Sequence, residues 1–245
     1  MTLAGRRASL LGTGDTPSFS AVVLSWKRPH NIPIIVEALH AIPHIREIIV
    51  WNNDPEVTVD APGALVFNAP KNYGCFPRYC VAPLAAYDNL WFQDDDICVH
   101  TDQFELVRRH YMEDRRRIYG LRGRMVENGR YVAADVYGEV DIVIGQTMMF
   151  HRSLLGAVFR AVGKLPPIVE DDIAFSLSVG RKHYAVNTGI LHDLGMGDAV
   201  ALHVRPGHAQ RRQAAVEVYA RFFATSRHDP DDERRASATN AEFGA

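Results

Sequence analysis

Apolar residues along this chain recur with two different periods, and the switching between them lays out an α/β fold before any chemistry is considered. Residues 19–26 form a short, partly β-branched apolar run, which predicts a buried strand. Pro29 stops it, Asn31 is placed to cap a helix with Pro33 in its first turn, and Ile34, Ile35, Ala38, Leu39 and Ile42 follow at helical spacing until Pro43. A second apolar run, 45–51, closes on the turn cluster Asn52-Asn53-Asp54-Pro55, and 64–67 reads as a third strand. A helix is expected over 76–86, a fourth strand over 88–93, and a helix capped by Thr101 running to about Asp114. Strands follow at 118–121 and 131–134, then an apolar run over 140–150 broken by Gly145. The pattern returns to helical at 170–179 and again at 205–220. His183, after Arg181-Lys182, reads as the surface start of a further strand.

Alternating strands and helices imply a mostly parallel sheet with right-handed crossovers. Ligands then gather beyond the carboxyl ends of the strands. Arg28, Asn52, Asn53 and Asn72 fall just past such ends. The fourth strand delivers Asp94-Asp95-Asp96, and its apolar core Leu90-Trp91-Phe92 predicts that it is central.

Composition narrows the picture little. The chain has 245 residues, 47% hydrophobic and 23% charged, with a formal net charge of -2; that fits one folded domain rather than a disordered or fibrous chain. A nucleic-acid partner would need a local basic patch. Three cysteines, Cys75, Cys80 and Cys98, lack CxxC spacing, against both a disulfide framework and a zinc knuckle. Cys75 and Cys80 read as buried small apolar residues, and a reducing, cytoplasmic setting is the simpler expectation. No stretch reaches the ~18 apolar residues of a spanning helix. No internal repeat or linker divides the chain, so the expected organisation is a flexible leader at 1–18, one catalytic domain at 19–225 and a flexible tail at 226–245.

Three carboxylates at the end of a buried strand repel one another and lose hydration. Two readings remain on this ground alone: a solvated acidic turn, or a site for a hard divalent cation such as Mn²⁺ or Mg²⁺ that also bridges phosphate oxygens. Other features are equally open. His192, His203 and His208 are either packed residues or contacts of the site; Arg115-Arg116-Arg117 is a solvated helix end or a nucleic-acid contact; Asp141 binds a hydroxyl or caps a turn.

A strand ending in Asp-x-Asp on a nucleotide-binding half resembles the GT-A glycosyltransferases, and further segments resemble the exostosin-like family. Ser25-Trp26-Lys27-Arg28 is similar to its first-strand turn, 48–53 (IIVWNN) to its second strand end, and Asn72 through Arg78 to its loop beside the nucleoside. Asp171-Asp172-Ile173-Ala174 is similar to a helix start of that family, and Arg205-Pro206-Gly207-His208 with Arg211-Arg212 to its last basic segment. The likeness runs collinearly over 19–215. It implies a GT-A type fold: a Rossmann-like nucleotide-binding half with a mixed central sheet flanked by helices. It implies a metal-dependent hexosyl- or N-acetylhexosaminyltransferase, using a UDP-sugar in the first place, with a hydroxyl acceptor and retention of configuration. Asp96 would be the principal metal ligand, with Asp94 toward the nucleoside and the metal, Asp95 in support, and a histidine, His203 or His208, as a further metal contact. Arg28, Asn53, Asn72 and Arg78 would hold nucleoside and phosphate, Arg212 or Arg211 the leaving diphosphate, and Asp172, with Glu170 and Asp171, the sugar. Leu24 and Glu170 depart from the family pattern, at positions that bear on base and sugar preference.

A weaker likeness to base-modifying DNA glucosyltransferases of the base J and bacteriophage type makes a hydroxymethylated base an alternative acceptor. Arg108, Arg109, Arg115–Arg117, Arg122, Arg124 and Arg130 would then line a backbone groove. A nucleotidyltransferase, from another class, would carry a Gly-rich phosphate loop after the first strand, and Ser25–Asn31 has no glycine. A non-catalytic nucleotide-sugar-binding module would not need both acidic clusters. The oligomeric state is left open.

Overall fold

The computed structural model describes residues 17–162, 164–165 and 168–226; the expected leader and tail lie outside these, apart from 17–18 and Ser226. The elements run β1 (Phe19–Ser25), α1 (Ile32–His40), β2 (Ile45–Asn52), β3 (Leu65–Asn68), α2 (Pro77–Val81), β4 (Asn89–Asp94), β5 (Ile97–Cys98) and α3 (Thr101–Glu113). There follow β6 (Tyr119–Gly120), β7 (Gly123–Glu127), β8 (Arg130–Val136), β9 (Gly138–Val140), β10 (Ile142–Val143) and β11 (Thr147–His151). The chain then adds α4 (Leu155–Phe159), α5 (Asp171–Val179), β12 (His183–Ala185), β13 (His192–Asp193) and α6 (His208–Ser226).

The main sheet has eight strands in the order β3-β2-β1-β4-β11-β6-β12-β9. The first four are parallel, and β11 joins β4 antiparallel, so the sheet is mixed as expected. Side chains alternate across a strand, and both faces here are covered. Ala21, Val23 and Trp91 face α1 and α3, packing on Ile35, Leu39, Phe104 and Tyr111. Val22, Leu90 and Phe92 face the other way, onto Tyr79 of α2, Val158 of α4, Phe175 of α5 and Val216 of α6. Burial on both faces is why β1 and β4 read as continuous apolar runs instead of alternating ones.

Several local expectations are corrected. Asn31 does not cap α1 with its side chain; its amide donates instead to the carbonyls of Asp95 and Leu194, at 2.8 and 2.7 Å. The expected 76–86 helix stops as α-helix at Val81 and tightens into a 3₁₀ turn over Ala82–Leu84, because Pro83 has no N–H to continue the ladder. The N-cap residue of α3 is His100, not Thr101, and its N–H is held by the Gln103 side chain. The last helix begins at His208, after Pro206 and a Gly207 with φ +76°, and runs on to Ser226. His183 is not on the surface: it is fully buried, its Nδ1 accepting from the Ile118 N–H and its Nε2 facing the Ser176 carbonyl. Burial pushes its imidazole down to about 4, so it packs as the neutral ring. Cys80 is exposed rather than buried, Cys75 partly buried and Cys98 buried. Asp141 accepts from the Val126 N–H and pairs with Lys182, a turn-fixing role.

Candidate functional site

The strand order itself locates the site. β1 lies between β2 and β4, so crossovers leave it on either side and the loops after β1 and β4 part at their carboxyl ends. Such a switch point opens a crevice in a parallel sheet. A cavity of about 410 Å³ lies there, walled by the turn after β1, the Asp triplet, the start of α5, and the stretch from Met196 to Arg212.

The three triplet carboxylates point in different directions. Asp95 turns back into the protein, accepting from the Trp26 N–H at 2.5 Å and from Arg28 Nη1 at 2.8 Å. Asp94 meets Arg78 Nη1 at 2.9 Å. Asp96 accepts from the Gln146 amide at 3.1 Å, and Gln146 lines the same cavity. Burial pushes Asp94 up to about 8 against the pull of Arg78, with the charge of Asp96 adding to the rise; burial pushes Asp95 up to about 6 against Trp26 N–H and Arg28.

The second acidic group stands on the facing wall, where Glu170 is the N-cap residue of α5 and Asp171 and Asp172 occupy its first turn. Carboxylates suit a helix N-terminus, yet these are deep enough to need cations as well. Arg78, itself fully buried, supplies one: its Nε donates to Asp171 at 3.0 Å while Nη1 reaches Asp94 and the Gly145 carbonyl. One guanidinium thus ties the two acidic groups together. Gly145 permits this approach, since a Cβ there would sit 3.0 Å from Arg78 Nη2 and 3.3 Å from the Asp172 Cβ. Arg212 supplies the second cation. It forks onto Asp172 at 3.1 and 2.8 Å, touches Glu170 at 3.0 Å and lies over the Tyr131 ring at 4.8 Å. Burial works to raise Asp172, but Arg212 overrides it and holds the carboxyl below its ordinary range. Asp171 is raised by burial, with Arg78 opposing, and Glu170 is raised by burial, with Arg212 opposing.

Most of the other sequence-predicted residues also converge here. Arg28, Asn53, Asn72, His203 and His208 line the cavity. The Arg28 side chain is already engaged, forked onto Asp198 at 2.8 and 2.7 Å and donating to the Gly195 carbonyl, so it fastens the 193–201 loop to the triplet. Asn53 orders the loop after β3: its Oδ1 accepts from Trp51 Nε1 and the Tyr73 N–H, and its Nδ2 donates to the Gly74 carbonyl. Asn72 accepts from the Gly74 N–H. Arg211 is the exception. Its side chain is 42% exposed, 3.8 Å from Glu170, and outside the cavity wall, which leaves Arg212 as the inward arginine. Asn52 turns away from the cavity to Asn68 and the Val57 carbonyl. The sequence reading missed Tyr131, Gln146, Met196 and Leu202, and gave Trp26 no role although it directly follows the end of β1. Neighbourhood of a strand end was the signal for Trp26; Tyr131 and Met196 carry none.

The donor set fits a hard divalent cation of the Mg²⁺ or Mn²⁺ type. Such ions commonly take only one or two protein carboxylates and fill the rest of their shell with substrate phosphates and water. Asp96 has one hydrogen bond and unspent lone pairs, Asp94 lies beside it short of cationic compensation, and the buried Nδ1 of His208 has no hydrogen-bond partner. A pH effect follows. With a folded-state value near 8, Asp94 keeps a proton that the unfolded chain has released, so stability falls as pH rises toward 8. His183 and His208, both lowered by burial, act in the opposite sense but only below about 6.5. In EDTA, the free energy of unfolding from urea titration is therefore expected to fall between pH 6.5 and 8, with up to about 1.4 kcal/mol per pH unit as the share of Asp94, and Asp94→Asn should flatten that slope. A free energy that rises across this window in the parent protein would contradict the assignment.

No known protein-family profile and no curated protein matches the chain. Among solved structures it is similar to S. aureus TarS 1-349, with a TM-score of 0.50 and 14% identity over 71% of this chain. The chain spans 59% of that TarS fragment. The likeness carries the fold, a GT-A-like α/β arrangement with a mixed central sheet. Among the described residues no helix is long and apolar enough to cross a membrane.

Proposed function

We propose that this chain is a metal-dependent glycosyltransferase that moves a hexosyl or N-acetylhexosaminyl group from a nucleotide-sugar donor, a UDP-sugar in the first place, to a hydroxyl acceptor with retention of configuration. One observation carries the reading: the Asp94–Asp96 turn and the Glu170–Asp172 turn face each other across a single cavity and share Arg78. The volume, about 410 Å³, falls in the range of small-molecule sites.

In this reading Asp96 and Asp94 hold the Mn²⁺ or Mg²⁺, with His208 or His203 as a further ligand. The bound ion would supply charge neutralisation to the departing diphosphate. Arg212 adds a fixed guanidinium from the facing wall. Trp26, Asn53 and Asn72 border the nucleoside. Asp172, kept ionised by Arg212, faces the anomeric carbon and stabilises positive charge developing there.

Arginine pairing favours a glycan, lipid or small-molecule hydroxyl over a DNA base as acceptor. Arg122 and Arg124 are both bound to Asp135, Arg116 and Arg117 to Asp114, and Arg108 to Glu105. These five are paired with carboxylates of the protein's own surface, which leaves Arg109, Arg115 and Arg130 as the groove arginines without a carboxylate partner among the described residues.

The test is a thermal-shift panel of nucleotide sugars with and without Mn²⁺. One donor at about a hundred times its Kd is expected to raise Tm by about 5–10 °C, only with the metal present, and Asp96→Ala should remove the shift. Stabilisation by no nucleotide sugar, or by one in EDTA as strongly as in Mn²⁺, would overturn the reading.

A further inference from the structure

Directly after the triplet the chain forms β5, which pairs antiparallel with β13 in a small sheet of its own. The register sets His192 opposite Cys98. Residues opposite each other across an antiparallel pair project from the same face, and so do residues two apart along an extended strand. Cys98, His100 and His192 therefore share one face, on backbone grounds alone. Their ligand-type atoms all lie within 4.8 Å of one another. His100 Nε2 and His192 Nδ1 stand 3.2 Å apart, and the thiol between the strands is buried while both imidazoles reach the surface.

We propose that Cys98, His100 and His192 form a site for a thiophilic divalent cation, Zn²⁺ in the first place, separate from the oxygen-donor site of the cavity. Tetrahedral zinc with bonds of about 2.0–2.3 Å to nitrogen and sulfur sets its ligand atoms roughly 3.3–3.6 Å apart, close to the spacing the two imidazoles already have. A thiolate with two imidazoles selects zinc-like ions over Mg²⁺ or Mn²⁺, which prefer oxygen. The alternative, a plain ring-to-ring hydrogen bond, accounts for the histidines but gives no role to the thiol.

The scaffold around the group is fixed from outside. The Gln103 side chain accepts from the His100 N–H and donates to the Ile190 carbonyl at 3.2 Å, so the first turn of α3 is tied to the segment that carries His192. Supports of this kind orient ligands before the ion arrives. None of the three residues lines the cavity, yet the site bears on it. β5 follows Asp96, and β13 leads into the loop whose Gly195 and Asp198 grip Arg28. A metal joining β5 to β13 staples that wall at its root.

The experiment titrates the chelator-treated full chain with Co²⁺ alone and follows absorbance. The expected result is one equivalent bound with a thiolate-to-cobalt charge-transfer band and tetrahedral d–d bands, displaced by Zn²⁺. Cys98→Ser should abolish the charge-transfer band. His192→Ala, at an exposed position that leaves packing intact, should weaken Co²⁺ binding by roughly tenfold or more. Asp96→Ala should leave both unchanged, which separates this site from the donor site. No thiolate band in the parent protein, a band that survives Cys98→Ser, unchanged affinity in His192→Ala, or loss of the band in Asp96→Ala would each overturn the proposal.

Discussion

Arg78→Met is expected to cost the fold about 3–5 kcal/mol at pH 7.5, the range for removing one partner of a buried ion pair. The guanidinium is fully buried and compensates Asp94 and Asp171 together, so its loss strands two carboxylates at once. Methionine keeps most of the side-chain volume, which makes the effect electrostatic more than steric. The size should depend on pH, and the sign can be fixed. Both acids are already raised by burial with Arg78 opposing; without Arg78 they rise further. Folded-state values above the unfolded ones make stability drain away as pH rises and return as pH falls. The cost at pH 5 should therefore be clearly smaller than at pH 8: both acids are ionised in the unfolded chain at either pH, and keeping a stranded acid protonated in the folded chain costs more the higher the pH. Urea unfolding at both pH values, with the slope m unchanged, measures it. A cost below about 1 kcal/mol, as for a surface pair, or one indifferent to pH, would show that Arg78 does not join the two groups.

Asp172→Asn is expected to lower the transfer rate by about 10²–10³-fold, the range for deleting one preorganised electrostatic contact, while nucleotide binding in Mn²⁺ stays within a few-fold. The asymmetry comes from geometry. Asp172 sits on the α5 wall, forked by Arg212 and receiving the Gly145 N–H at 3.2 Å, whereas Asp94 and Asp96, proposed for the metal, and Trp26, Asn53 and Asn72, proposed for the nucleoside, belong to the facing wall. Asparagine retains an oxygen for these donors and loses the charge that would face an oxocarbenium-like centre. Because Asp172 is held ionised by Arg212, the substitution removes a charge that is present at neutral pH. Single-turnover transfer and donor titration by thermal shift separate the two quantities. Unchanged turnover, or loss of donor binding in step with turnover, would remove Asp172 from the sugar-facing role.

The central strands were legible because their burial is local in sequence. β1 and β4 must be apolar throughout to lie mid-sheet, and the residues just past their ends must then face the crevice, which is how Asp94–Asp96 could be found. Glu170–Asp172 was legible as an acidic first helical turn. Pairings between distant segments were not. Arg28 reads as a ligand contact until Asp198, 170 residues away, takes its Nε and Nη2 and Asp95 takes its Nη1. His183 follows two basic residues and reads as surface, but its partners Ile118 and Ser176 arrive from other elements. The Cys98 group escaped for the same reason, since His192 lies 92 residues beyond His100 and the spacing matches no compact ligand motif. The length of α2 was misjudged for a local reason: Pro83 breaks the ladder inside a run of otherwise helix-compatible residues.

The hydrogen bonding of Arg78 to both walls also governs how such a pocket can diversify. A substitution at Asp94 is felt at Asp171 through the shared guanidinium, and one at Asp171 is felt at Asp94, so changes on the floor are epistatic and must be acquired in compatible combinations. The rim is free of that constraint. Met196, Leu202 and Val169 border the same cavity without joining the ionic floor, and single exchanges there can reshape what the pocket admits while the floor stays fixed. Divergence in specificity among chains built on this plan should therefore accumulate at the rim first, with the arginine and its two carboxylates changing together or not at all.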